Sequence, residues 1–153
     1  MAFERSLTKL GALVTDLDRA SDERLEDAEV LLQCERYAAA IMQGIYSLEI
    51  KLKVVICRRL QVLNLPLVFQ IHDLEALMLH AGLAKKIGGV RRPRHVAKNW
   101  QELLKLSKGL DELRYRTDPE WDQRLARRVL HQLRDSPHGV LPWLSKQASL
   151  KTR

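Results

Sequence analysis

Apolar residues recur at helical spacing along most of this chain, and polar breaks divide the pattern into segments. Leu7, Leu10, Val14 and Leu17 form an amphipathic stripe that predicts a first helix over about 4–20. It is expected to end near Ala20, with Ser21 capping the next helix and Asp22 and Glu23 in that helix's first turn. The pattern then runs through "RLEDAEVLLQ" and resumes in "YAAAIMQGIYSLEIKLKVVICRRLQ". An unbroken helix of about forty residues is long for a small domain. A turn is therefore expected at Gln33–Tyr37, separating two antiparallel helices.

Pro66 ends the helical pattern in "NLPLVFQIHD". His72 and Asp73 open the next helix, whose apolar face is Leu74, Leu77, Met78 and Ala81 and whose C′ residue is Gly82. "NWQELLKLSKG" predicts a short helix ending at Gly109. "TDPEW" reads as a helix start with Asp118 as N-cap, Pro119 at N1 and Glu120 at N2. That helix continues through "DQRLARRVLHQLRD" to Pro137 and Gly139, and "GVLPWLSKQ" closes the pattern as a turn of helix packing Trp143. No strand pattern, repeat, heptad array or low-complexity tract interrupts it. The expected fold is all-α, an antiparallel helical bundle of five to six helices in a single domain over 1–153.

Composition narrows the functional classes. The 153 residues are 46% hydrophobic and 29% charged, which suits one ordinary domain with its own core. Against 19 acids stand 26 Lys and Arg, leaving +7 at neutral pH. The choice is between a solubility charge and an anionic partner, either nucleic acid or an acidic protein surface. Cys34 and Cys57 are too few for a disulfide framework or a zinc knuckle. They read as small buried hydrophobes in a reduced, cytoplasmic setting. "MAFERSLTKL" has no apolar core of signal-peptide length, and the uncharged run Leu60–His72 is too short to span a bilayer, so no membrane association is expected. His-x-x-x-His, paired Cys and spaced acidic triplets are missing, so no metal is expected. With no phosphate-binding P-loop, dinucleotide fingerprint or nucleophile elbow, no cofactor is expected either.

The most one-sided segment is "LAKKIGGVRRPRHVAKNW". It carries Lys85, Lys86, Arg91, Arg92, Arg94 and Lys98 with no acid among them. Mutual repulsion, two glycines and Pro93 predict a mobile basic loop able to wrap a phosphate backbone or dock on an acidic protein.

Five pieces in order, "RYAAAIMQGIYSLEIKLKVVICRRL", "LP...F..HDLEALMLHAGL", "NW", "LRY" and "GVLPWL", together resemble the HEPN superfamily of all-helical nucleotide- and RNA-associated proteins. The likeness covers roughly Leu25 to Leu144 and implies a HEPN-like core over about 22–147. It further implies a homodimer, or a hetero-complex with an operon partner, in a bacterial defence or toxin–antitoxin setting. Many members are metal-independent endoribonucleases, and others are inactive relatives.

Within the first piece, Gly44 lets a neighbouring helix approach closely, and Tyr46, Glu49 and Lys53 share one helical face. They match a G-Y-x-x-E-x-x-L-K pattern frequent in the family, except that Ile45 stands beside Gly44. Lys51 lies off that face and is expected to be solvated. Glu49 can pair with Lys53 along the helix, or with Arg114 or His72 across the bundle, with His72 turned inward and Asp73 capping. Tyr46, Glu49, Lys53, His72, Asp73 and Arg114 thus form an expected polar core network, serving either helix packing or a site.

Ribonucleases of the family carry an Arg, four to six residues, then a His. The His handles a proton near neutral pH, and the Arg opposes the phosphate charge that grows in the transition state. Of all Arg and His in the chain, only Arg124 and His131 keep that spacing; Arg91–His95, Arg127–His131 and Arg134–His138 are one residue short. A seven-residue step puts Arg124 and His131 on one side of a helix, with Cβ atoms about 10 Å apart along its axis. The expected function is a HEPN-like module acting on or around RNA or a nucleotide-modifying partner, without standard HEPN catalysis. The alternatives are a metal-independent endoribonuclease using Arg124 and His131, and a purely structural interaction subunit.

Overall fold

The computed structural model describes residues 11–113, 115 and 118–150, and these are arranged as an all-helical fold without a strand. The helices are α1 (Val14–Gln33), α2 (Tyr37–Leu60), α3 (Leu74–His80), α4 (Ala84–Gly88), α5 (Arg94–Ser107), α6 (Leu110–Leu113), α7 (Gln123–Arg134) and α8 (Val140–Ser149). Seven of these have five or more residues and α6 is a four-residue turn, so the described residues hold more helices than the five to six expected.

The expected break at Ser21 does not occur. α1 runs through Ala20 and Ser21 to Gln33, and Leu7 and Leu10 of the stripe lie outside the described residues. Ser21 is fully buried where α1 crosses α2. Its hydroxyl donates to the Ser47 carbonyl at 2.9 Å, and the Ser47 hydroxyl donates to the Ser21 carbonyl at 2.7 Å. A small residue with a hydroxyl lets two backbones approach and bond reciprocally, which here takes precedence over capping. The turn expected at Gln33–Tyr37 is present. Glu35 adopts φ 61° there, and the Arg36 N–H bonds the Leu31 carbonyl at 2.8 Å.

α2 is the hub, with α1, α3, α7 and α8 packed around it. Ile41, Ile45, Leu48, Leu52, Val55 and Ile56 are buried along it and meet Leu77, Leu130, Leu133 and Leu144 in one core. Each such side chain contributes roughly 1.5–3 kcal/mol on burial. Gly44 permits a close approach of α7, as expected of it: a Cβ there would fall 2.8 Å from Leu133 Cδ1.

Lys51 is the second departure. It is buried, not solvated, and bridges Asp18 at 2.6 Å and Asp22 at 3.2 Å on α1. A helix flanked on several sides has little solvated face left, so an off-stripe lysine must find carboxylates on a neighbour.

Asp73 caps α3 as expected, accepting from the Glu75 and Ala76 N–H groups at 2.9 and 3.0 Å. Gly82 ends that region at φ 69°, while the Leu83 N–H returns to the Met78 carbonyl at 3.1 Å. The expected basic loop is largely helical. Ile87 anchors α4, and Val96 and Ala97 anchor the start of α5, so only 89–93 stays a turn. Apolar burial at both ends outweighs the charge repulsion. Asp118 does not cap α7: it closes a turn with Trp121, and Asp122 caps instead, accepting from the Leu125 N–H at 2.9 Å. Cys57 is buried, which pushes its thiol up, but Cys34 is exposed at the end of α1, against expectation.

Candidate functional site

Three groups of side chains were expected to carry function. The first is centred on Glu49 of α2. Lys53, one turn on, donates to Glu49 Oε1 at 2.7 Å, with both side chains about nine-tenths covered. His72 Nδ1 stands 3.0 Å from the same oxygen. The imidazole is nevertheless 82% exposed, so His72 reaches Glu49 from the bundle surface instead of pointing inward. Asp73 fixes the backbone immediately after it by capping α3. Tyr46, Glu49, His72 and Asp73 line a cleft of about 370 Å³ together with Ser107 and Lys108. When Glu49 accepts the Nδ1 proton, Nε2 keeps a lone pair on an exposed ring, an arrangement suited to proton transfer. Arg114, expected in the same network, lies outside the described residues.

The second group is on α7. Arg124 and His131 are both exposed on it. His131 Nδ1 lies 2.5 Å from Asp135 Oδ2, one turn further on. The burial cost at Asp135 is outweighed by the hydrogen bonds from His131 and Arg134, which hold its carboxyl below the ordinary range. Arg134 also bonds Glu29 of α1, tying this end of α7 to the hairpin. Arg124 lies in different surroundings. It lines a cleft of about 840 Å³ between α5 and α7 that His131 does not reach.

That larger cleft was not anticipated from the sequence. Lys105 enters from α5, Arg124 and Arg128 from α7, and Trp121 from the turn before α7. Among the described residues none of these three cations has an ion pair. Three carboxylates share the cleft. Glu102 accepts from the Gln132 amide, and Asp122 caps α7. Only Glu120 has no side-chain partner among the described residues. The signal for this cleft in the sequence is the i, i+3, i+7 spacing of Trp121, Arg124 and Arg128. The contribution of Lys105, from a helix earlier in the chain, has no such signal.

The third group is the basic segment. Lys85, Lys86, Arg91, Arg92, Arg94 and Lys98 are all exposed, and no acid pairs with any of them among the described residues. Lys86 donates to Gln147 of α8 at 2.8 Å, and Arg92 folds back toward the Gly89 carbonyl. Arg94, Lys98 and Lys105 recur on one face of α5, so the segment leads along that helix toward the cleft. No group of three or more His, Cys, Asp or Glu among the described residues could hold a metal ion, and no helix among them is long and apolar enough to cross a membrane. No protein-family model, curated protein or solved structure matches the chain.

Proposed function

We propose that this chain is a HEPN-like helical module that binds single-stranded RNA along α4, α5 and α7, without the standard catalysis of that superfamily. One observation carries the reading. Arg91, Arg94, Lys98, Lys105, Arg124 and Arg128 have no ion pair among the described residues, whereas the acids Asp18, Asp22, Glu29, Glu49 and Asp135 are each paired with a basic side chain of the same chain. The net charge of +7 is therefore not spread as balanced pairs. It is available to an anion, and a phosphate backbone repeats its charge at a spacing that such a run can follow. Trp121 beside the cations adds a stacking surface of the kind single strands use. The separation of Arg124 from His131, each with different neighbours, supports binding over cleavage. Fluorescence anisotropy with a short single-stranded RNA at increasing salt tests this. Affinity is expected to fall linearly on a log–log plot; no binding at low salt overturns the reading.

The endoribonuclease reading has one observation in its favour. Asp135 engages His131 Nδ1 and leaves Nε2 open on a ring that is 70% exposed, as a general base requires.

A further inference from the structure

We propose that the cleft between α5 and α7 is a guanine-nucleotide pocket, an inference that rests on the RNA reading and names the chemistry of one part of that surface. Its volume of about 840 Å³ lies within the range of small-molecule sites, roughly 300–1,000 Å³. Trp121 is half-buried and packed against the core, so its ring is held firmly while its open part borders the cleft beside Leu106 and Leu125. A fixed aromatic face flanked by aliphatic side chains is a stacking platform for a base. Lys105, Arg124 and Arg128 supply donors to a phosphate, and none of them is committed to an acid among the described residues.

The carboxylates decide which base. A phosphate pocket alone would exclude acids, yet Glu102, Glu120 and Asp122 line this one. Gln132 engages Glu102 and the α7 N-terminus engages Asp122, which leaves Glu120 to face a ligand. A free carboxylate beside a stacking ring accepts from adjacent N–H donors. Guanine presents two side by side, N1–H and N2–H, spaced for one carboxylate. Adenine and cytosine place an amino group beside a ring acceptor that a carboxylate repels, and uracil flanks its one N–H with carbonyls. Guanine is thus the base whose edge complements Glu120 while its phosphate meets the three cations.

Calorimetric titration of the full chain with GMP, AMP and UMP at low salt provides the test. GMP is expected to bind at least about tenfold more tightly than AMP or UMP. Glu120→Gln should reduce that preference to about twofold or less, and joint Arg124→Ala and Arg128→Ala should weaken all three nucleotides together. Quenching of intrinsic fluorescence by GMP should disappear in Trp121→Phe, because Trp100 and Trp143 lie outside the cleft. Single-stranded RNAs with and without guanosine form the second arm. A guanosine preference confined to RNA assigns the pocket to a strand, and one shared by GMP assigns it to the nucleotide itself. Equal affinity for all bases in both arms, with Glu120→Gln inert, overturns the pocket; if RNA binding stays salt-dependent in that case, the RNA reading stands without it.

Discussion

His72 Nδ1 lies 3.0 Å from Glu49 Oε1, so an imidazole that is 82% exposed ends on a carboxylate that is nine-tenths covered. The pair spans the boundary between surface and interior, and the two partners should respond unequally to replacement. Glu49→Ala leaves the covered Lys53 ammonium without its partner and should cost about 2–4 kcal/mol. His72→Ala removes a contact that solvent already screens and should cost under about 1 kcal/mol. Thermal denaturation of both variants checks this. Equal melting temperatures for Glu49→Ala and the parent chain would refute the buried ion pair.

Asp18 gives the α1–α2 contact a pH dependence. Burial pushes its carboxyl up, but hydrogen bonds and charge from Lys51 and Arg58 together outweigh that and hold it below its ordinary 3.8. A depressed carboxylate stabilises the fold above its unfolded value, and that contribution is lost as pH falls through the folded one. Stability should therefore decline below about pH 4, with Asp18→Asn flattening this limb and costing about 1–2 kcal/mol at neutral pH. Chemical denaturation at several pH values reads both effects, and an unchanged acid limb in Asp18→Asn would remove Asp18 as its source.

Gly139 precedes α8 in a space without room for a side chain. A Cβ there would fall 2.8 Å from the Arg134 carbonyl carbon and 2.8 Å from the Asp135 nitrogen, both backbone atoms that cannot rotate away. Gly139→Ala should destabilise the protein by about 2–3 kcal/mol, measured by urea titration. Gly88→Ala is the control, because nothing lies within 4 Å of its Cβ position.

RNA incubated with the protein in EDTA should stay intact if the module binds without cutting. Cleavage leaving cyclic-phosphate ends, lost in His131→Ala, would instead establish the endoribonuclease reading. His131 is largely exposed, so that variant keeps its fold.

Joint replacement of Arg91, Arg92 and Arg94 by Ala should flatten the salt dependence of RNA affinity by about two to three contacts. An unaltered slope in the anisotropy titration would move the strand off this segment.

What could be read in the sequence followed chain-local physics. The Asp73 cap, the left-handed Gly82 and the close approach at Gly44 each depend on one residue's own backbone or size, and the turn at Gln33–Tyr37 followed from the length of the helical pattern. The Glu49–Lys53 pair was legible for the same reason, since it lies one turn apart on a single helix. Ser21, Lys51 and the cap of α7 were misread because each has two local roles. A serine caps or bonds across a helix crossing, a lysine is solvated or bridges a neighbour, and either of two aspartates can start a helix. Only the neighbouring element chooses. The cleft joining Lys105 to Arg124 was hidden because its walls are separate helices brought together by packing.

The hub position of α2 has a consequence for how the chain comes off the ribosome. The polar contacts joining α1 to α2, from Ser21–Ser47 to Asp18–Arg58, link residues at most 40 apart, so this hairpin can set its register as soon as both helices have emerged. Its cover, Leu130, Leu133 and Leu144, arrives only with α7 and α8. Throughout synthesis of the intervening residues the nascent hairpin presents an apolar face that α3 covers only in part. A message truncated before Gln123 would leave that face open for good, producing a product fit for chaperones and proteases, not a smaller working domain.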